Sequence, residues 1–129
     1  MVFVDIVVAL ALLQFFWFGL QVGRARGQFK VPAPAMSGHP EFDRVFRVQM
    51  NTLEQLVLFI PSLYAFAHYV SPIWGAGLGV VYIIGRFVYS AGYTRAAEKR
   101  GAGFGLSALP VMILLLGGLI GACIALSRS

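Results

Sequence analysis

Three stretches of this chain run without a charged side chain: residues 6 to 23, 55 to 85 and 101 to 127. Each is near or above the roughly 18 residues at which an apolar run can cross a bilayer as a helix. The middle run is 31 residues long and is interrupted by SPIWG at 71 to 75. Proline lacks the amide hydrogen a helix interior needs and clashes with the preceding turn, so Ser71-Pro72 divides the run in two. The pattern predicts four helical spans, at about 2 to 24, 40 to 70, 72 to 98 and 104 to 126. Period-two alternation over segments of about ten residues, which a transmembrane barrel requires, is missing. The segment GRARGQFKVPAPAMSGHPEFD between the first two spans is rich in Gly, Pro and basic residues and too short to fold alone. The expectation is an all-α membrane protein, one four-transmembrane-helix bundle over residues 1 to 129.

Composition points the same way. Of 129 residues, 59% are hydrophobic and 12% charged, and the mean hydropathy is +0.81, far from the averages of soluble domains. No basic segment precedes the first apolar run, which also exceeds the roughly 7 to 15 residues of a secretory leader, so it is expected to be part of the structure.

Charge sets the orientation. Arg24, Arg26, Lys30, Arg44 and Arg47 flank the first connection, Arg95, Lys99 and Arg100 flank the third, and the second has no Lys or Arg. Basic connections stay in the cytoplasm, so both termini are expected on the other side, with Arg128 weakly opposing. The net charge of +5 is explained by topology and anionic headgroups, and no nucleic-acid partner is expected. The compact chain, without a retention signal, suggests an integral protein of a bacterial inner membrane.

Other chemistry is sparse. The single cysteine, Cys123, excludes a disulfide framework or a Cys-based metal site within one chain and reads as a small apolar filler. His39 and His68 have no second ligand at a helical metal spacing, so no metal is expected. The glycines at 75, 77, 79, 85, 117, 118 and 121 suit close helix packing.

Two polar stripes remain. At 100° per residue, Arg44, Arg47, Asn51, Glu54 and Gln55 share an arc of about 100° on the second span. Tyr82, Arg86, Tyr89, Tyr93 and, if the helix continues that far, Arg100 share about 60° on the third. Ionisable groups at membrane depth cost at least ~2.5 to 3.5 kcal/mol each, so stripes of this kind face a bundle interior, a cavity or a partner. A purely structural alternative is a clamp between Glu54 and Arg86. Yet the cations outnumber the single deep carboxylate, which favours an anionic ligand. Arginine stays protonated and suits carboxylate, thiolate or phosphate, tyrosine adds hydroxyl donors, and Asn51 and Gln49 can read a peptide group. The lining suits a small peptide-like anion at the cytoplasmic mouth of the bundle, with a greasy reactant entering from the lipid.

The sequence PEFDRVFRVQMNTLEQLVLFIPSLYAFA, residues 40 to 67, resembles the signature of the MAPEG family, the membrane-associated proteins of eicosanoid and glutathione metabolism. GRFVYSAGYTRAAEKR at 85 to 100, with tyrosines four apart and a downstream arginine, and LQVGRAR at 20 to 26 extend the resemblance over most of the first three spans. The resemblance implies a homotrimer of four-helix bundles with one glutathione at each subunit interface, open toward the cytoplasm. It implies that Arg47, Asn51, Glu54, Tyr89 and Tyr93 hold glutathione from one subunit, and that Arg26 and Gln49 reach it from the neighbour. Gln49 points about 140° away from Arg44, a direction useful only if another subunit completes the wall. Arg100 matches the family's arginine beside the glutathione sulfur and is the expected catalytic residue.

Leukotriene-forming members carry a second arginine directly after the position of Arg26, where this chain has Gly27, and a tyrosine where it has Gln55. The expected activity is therefore that of a general glutathione transferase or peroxidase acting on lipophilic electrophiles or lipid hydroperoxides. A noncatalytic lipid- or partner-binding scaffold is the alternative. An ion transporter fits less well, because the stripes gather at one side and no span carries them across.

Overall fold

The computed structural model describes residues 1 to 95 and 101 to 129. It contains four helices in chain order: α1 Val2–Phe29, α2 Pro40–Tyr69, α3 Pro72–Arg95 and α4 Gly101–Ser127. The expected all-α architecture is present. Helices α1, α3 and α4 are long and apolar enough to cross a membrane. The 30-residue α2 is not among them, because Glu41, Asp43, Arg44, Arg47 and Glu54 dilute its apolar face. It is covered by its neighbours instead: Phe42, Thr52, Phe59 and Leu63 are fully buried.

The helix ends follow local chemistry. Ser71 Oγ accepts from the Trp74 amide at 3.3 Å, and Pro72 opens α3, so the Ser-Pro pair separates α2 from α3 as its chemistry requires. At the start of α2, His39 Nδ1 accepts from the Glu41 amide at 3.1 Å, with Pro40 at the first helical position. The expected end of the first helix at residue 24 is corrected: α1 continues to Phe29 and stops at Lys30, which takes a left-handed conformation with φ 56°. The apolar run ends at Arg24, which marks the edge of the bilayer, but Arg, Ala and Gln are good helix formers and carry the helix beyond it. Helix α4 begins at Gly101, earlier than the expected 104. The expected end of the third helix at 98 lies outside the described residues.

Helix α1 packs through a seam of Val4, Val7, Ala11, Gln14, Phe18, Val22 and Ala25, spaced three or four apart as neighbouring turns of one face require. Its opposite face exposes Leu13, Phe16 and Leu20, the arrangement expected where lipid rather than water is the solvent. The core joins Val4, Val7 and Ala11 of α1 with Leu56, Phe59 and Leu63 of α2, Tyr82 of α3 and Leu114 of α4.

Small residues set the spacing between helices. A methyl group at Gly85 of α3 would lie 2.6 Å from the Leu106 carbonyl carbon and the Ser107 nitrogen of α4. One at Gly103 of α4 would collide with the Tyr89 backbone of α3. These two glycines, one on each helix, let α3 and α4 cross nearly backbone to backbone. Of the glycines expected to pack, those at 75, 79, 117, 118 and 121 also meet α1 or α2, while Gly77 faces open space.

Gln14 is buried in this seam, its Nε2 donating to the Ile83 carbonyl at 2.9 Å, while its Oε1 has no partner among the described residues. An orphaned oxygen offsets the gain of the single bond. Replacing Gln14 by Leu is therefore expected to leave stability in detergent unchanged within about 1 kcal/mol, or to raise it. A clear fall in the thermal midpoint would show that the bond to Ile83 outweighs the unsatisfied oxygen.

Candidate functional site

The charged half of α2, the last described turns of α3 and the first turns of α4 meet at one end of the bundle. They enclose a cleft of about 320 Å³ lined by Arg47, Asn51, Tyr89, Tyr93, Gly101 and Phe104. Arg47, Asn51 and Glu54 lie three or four residues apart and share a face of α2. Arg47 Nη2 pairs with Glu54 Oε1 at 3.1 Å, and Asn51 Nδ2 reaches the same oxygen at 3.5 Å. Both members of the ion pair are about half exposed, at 48% and 55%. At that exposure the pair contributes at most ~1 kcal/mol, so Arg47 is free to exchange its partner for a ligand at little cost.

The opposite wall is aromatic. The rings of Tyr89 and Tyr93 stack at 5.4 Å with an interplanar angle of 24°, and Phe104 lies 6.4 Å from Tyr89. The stripe on α3 changes character along its length: Tyr82, Arg86 and Tyr89 are buried, while Tyr93 is half-buried at the mouth.

Behind the wall lies Arg86, fully buried. It does not clamp Glu54. Its guanidinium donates to Asn51 Oδ1 at 2.8 Å, to Thr52 Oγ1 at 2.9 and 3.3 Å, and to Ser107 Oγ at 3.1 Å. Its central carbon lies 4.2 Å from the Tyr89 ring centroid. The surplus of cations over carboxylates thus has a second solution beside an anionic ligand, a cage of neutral oxygens drawn from α2 and α4.

The remaining expected site residues lie elsewhere. Gln49 faces α1, within a separate groove of about 460 Å³ that includes Phe16, Gly19 and Leu20. Arg26 caps the first connection, its Nη1 donating to the Ala35 carbonyl at 2.7 Å and the Val31 carbonyl at 3.4 Å, with its guanidinium 5.0 Å from the Phe42 ring centroid. Arg44 Nε donates to the Thr94 carbonyl at 3.3 Å and ties the start of α2 to the end of α3. Arg100 lies outside the described residues. The structure adds Gly101 and Phe104 to the lining and Thr52 and Ser107 to its support. A sequence signal existed for Ser107, the first polar residue in the last apolar run, but a lone hydroxyl does not announce its partner.

The family model of the MAPEG family matches residues 4 to 120. This chain belongs to the MAPEG family. Among its relatives, an uncharacterized protein of Synechocystis sp. is 47% identical over 115 residues, 89% of this chain and 84% of that protein. Human microsomal glutathione S-transferase 2 is 46% identical over 105 residues, 81% of this chain and 71% of its own. Leukotriene C4 synthase of Cavia porcellus is 39% identical over 99 residues, 77% and 66% respectively. Family and apolar helices together make this MAPEG member an integral membrane protein.

Proposed function

We propose that this protein is a membrane glutathione transferase, also able to act as a glutathione peroxidase, which works as a homotrimer with its site open to the cytoplasm. The observation that carries this reading is the cleft itself: a guanidinium, a carboxamide and two tyrosines gathered at the basic end of an apolar bundle. Its 46% identity to a human glutathione transferase over 81% of the chain supports the same ligand.

The residues present suit glutathione. The cleft volume of about 320 Å³ lies at the lower end of the roughly 300 to 1,000 Å³ of small-molecule sites. Arg47 offers a planar pair of donors to a carboxylate, Asn51 Nδ2 a donor to a carbonyl or carboxylate, and Glu54 an acceptor for an ammonium group. Arg26 and Gln49 do not line this cleft, so in the proposed trimer they would serve the cleft of a neighbouring copy.

Glutathione supplies the thiol that acts as nucleophile. Arg100 directly precedes Gly101, which lines the cleft, and is the cation proposed to favour the ionised sulfur. The lipophilic reactant would approach from the bilayer, where an apolar groove of about 580 Å³ between α3 and α4, including Leu78, Val81, Leu109 and Ile113, also shares Gly101 with the cleft.

The test is calorimetric titration of the purified protein with glutathione, followed by thiol conjugation to a generic aromatic electrophile. Binding and turnover are expected. Binding without turnover would favour a scaffold, and no binding would overturn the reading. Within it, Arg47→Ala should weaken glutathione binding about tenfold while leaving the thermal midpoint nearly unchanged, because a half-exposed ion pair adds little stability. Unchanged affinity would remove Arg47 from the clamp.

A further inference from the structure

We propose that Arg86, which does not line the cleft, is the positioning residue that fixes Asn51 and Tyr89 within it and so sets the affinity for the anionic peptide; this rests on the glutathione reading above.

The inference starts from hydrogen-bond direction. The Thr52 hydroxyl donates to the Val48 carbonyl at 2.7 Å, and the Ser107 hydroxyl lies 3.0 Å from the Gly103 carbonyl and 3.1 Å from that of Phe104. With their hydrogens directed at their own helices, both oxygens are left as acceptors for the guanidinium. The third acceptor is Asn51 Oδ1, 2.8 Å from Arg86 Nη2. Reversing the Asn51 carboxamide would set its NH2 group against the guanidinium, donor against donor, and break a charge-assisted bond in a buried site. The amide is thereby locked with Nδ2 on the Glu54 side, where it stands 3.5 Å from Oε1. The cleft meets Asn51 as a donor.

The second consequence is electrostatic. Among the described residues the ion pair formed is Arg47 with Glu54, and Arg86 has neutral oxygens and the Tyr89 ring around it. It donates four hydrogen bonds, but no carboxylate among the described residues pairs with its charge. A buried charge is little screened, so it favours an anion on the far side of the Asn51 and Tyr89 wall. A clamp that only joined helices would be better served by apolar packing, since ionised groups at this depth are costly.

The experiment is a double-mutant cycle on the full-length protein in nanodiscs, using Arg86→Lys, Asn51→Ala and the pair. Calorimetry would measure the glutathione dissociation constant and steady-state conjugation of an aromatic electrophile would measure KM and kcat. Lysine keeps the charge but cannot bridge three acceptors as the fork does. Arg86→Lys is expected to raise the dissociation constant and KM about tenfold and to leave kcat within about threefold. Because Arg86 acts through Asn51, the double variant should bind no more than about twofold more weakly than the weaker single variant.

Multiplied losses, or glutathione affinity unchanged in Arg86→Lys, would overturn the positioning role. If Arg86→Lys does not fold, Thr52→Val removes the hydroxyl that receives two of the guanidinium bonds, without altering the lining. A rise of about threefold in the dissociation constant, absent when Asn51 is already alanine, supports the proposal; an unchanged constant overturns it. Failure of wild-type protein to bind glutathione would remove the glutathione reading and this inference together, whereas normal wild-type binding with independent losses removes the inference alone.

Discussion

Replacing Arg100 by alanine is expected to lower the turnover of glutathione conjugation about 10² to 10³-fold, the scale seen when one preorganised group facing a developing or resident negative charge is removed. Glutathione affinity should change far less, by about threefold, because in the proposed site the peptide is held by Arg47, Asn51 and the tyrosines. A free thiol has a pKa near 8.5, so only about 3% is ionised at pH 7. A guanidinium beside the sulfur favours the thiolate, and each unit by which it lowers the thiol pKa represents about 1.4 kcal/mol of differential stabilisation. The sign of the pH effect follows. The rate rises with pH as the thiol ionises, so removing the cation moves that rise to higher pH by at least ~1 unit. Ultraviolet titration of the glutathione-saturated protein should show thiolate absorbance at neutral pH in wild type and its loss in the variant. Equal turnover in the two proteins, or an unmoved pH profile, would take Arg100 out of the mechanism.

Gly103→Ala is expected to have the largest structural effect of any single methyl group added to the chain. The new carbon would overlap the amide nitrogen and Cα of Tyr89 and lie 2.7 Å from the Val88 carbonyl carbon. These are backbone atoms of a packed helix and cannot swing aside as the tip of a side chain would. The α3 and α4 axes would have to separate at the crossing where Ser107 receives Arg86 and where Tyr89 forms the cleft wall. Overpacking of a well-filled site costs about 1 to 3 kcal/mol and occasionally more, and a backbone contact places this case at or above ~3 kcal/mol. The thermal midpoint should fall by about 10 °C, and glutathione binding should fall with it. Gly105→Ala is the matched control: it lies in the same helix with nothing within 4 Å of the added carbon. There the better helix propensity of alanine should leave stability unchanged or raise it by up to ~1 kcal/mol. Similar melting curves for the two variants would show that the α3 to α4 crossing is not the constraint inferred here.

The architecture was legible because membrane helices declare themselves by local composition. Uncharged runs located α1, α3 and α4, and Ser71-Pro72 marked the break between α2 and α3. The wheel on α2 correctly separated the direction of Gln49 from that of Arg47 and Asn51, since a helical angle depends on residue spacing alone. What the wheel could not supply was the neighbour each side chain meets. Arg86 stood on the right stripe, yet beside Asn51 its partners are Thr52, one position away from the residues singled out on α2, and Ser107, a lone hydroxyl in an otherwise apolar run. The same holds for Gly103, whose role depends on the backbone of another helix. The continuation of α1 to Phe29 was hidden for a different reason: hydropathy reports where the lipid ends, whereas helix formation depends on backbone propensity, and the two need not stop together.

By itself, then, the sequence determined the number and order of the helices, the end of the bundle that carries the charge and the kinship with the MAPEG family, all of which follow from local composition and spacing. The tertiary structure alone decided that Glu54 pairs with Arg47 rather than Arg86, that Arg86 is held by neutral oxygens, and that Tyr89 and Phe104 close the cleft against α2. These depend on distances between helices, which packing of small and large side chains sets and which no single helix encodes.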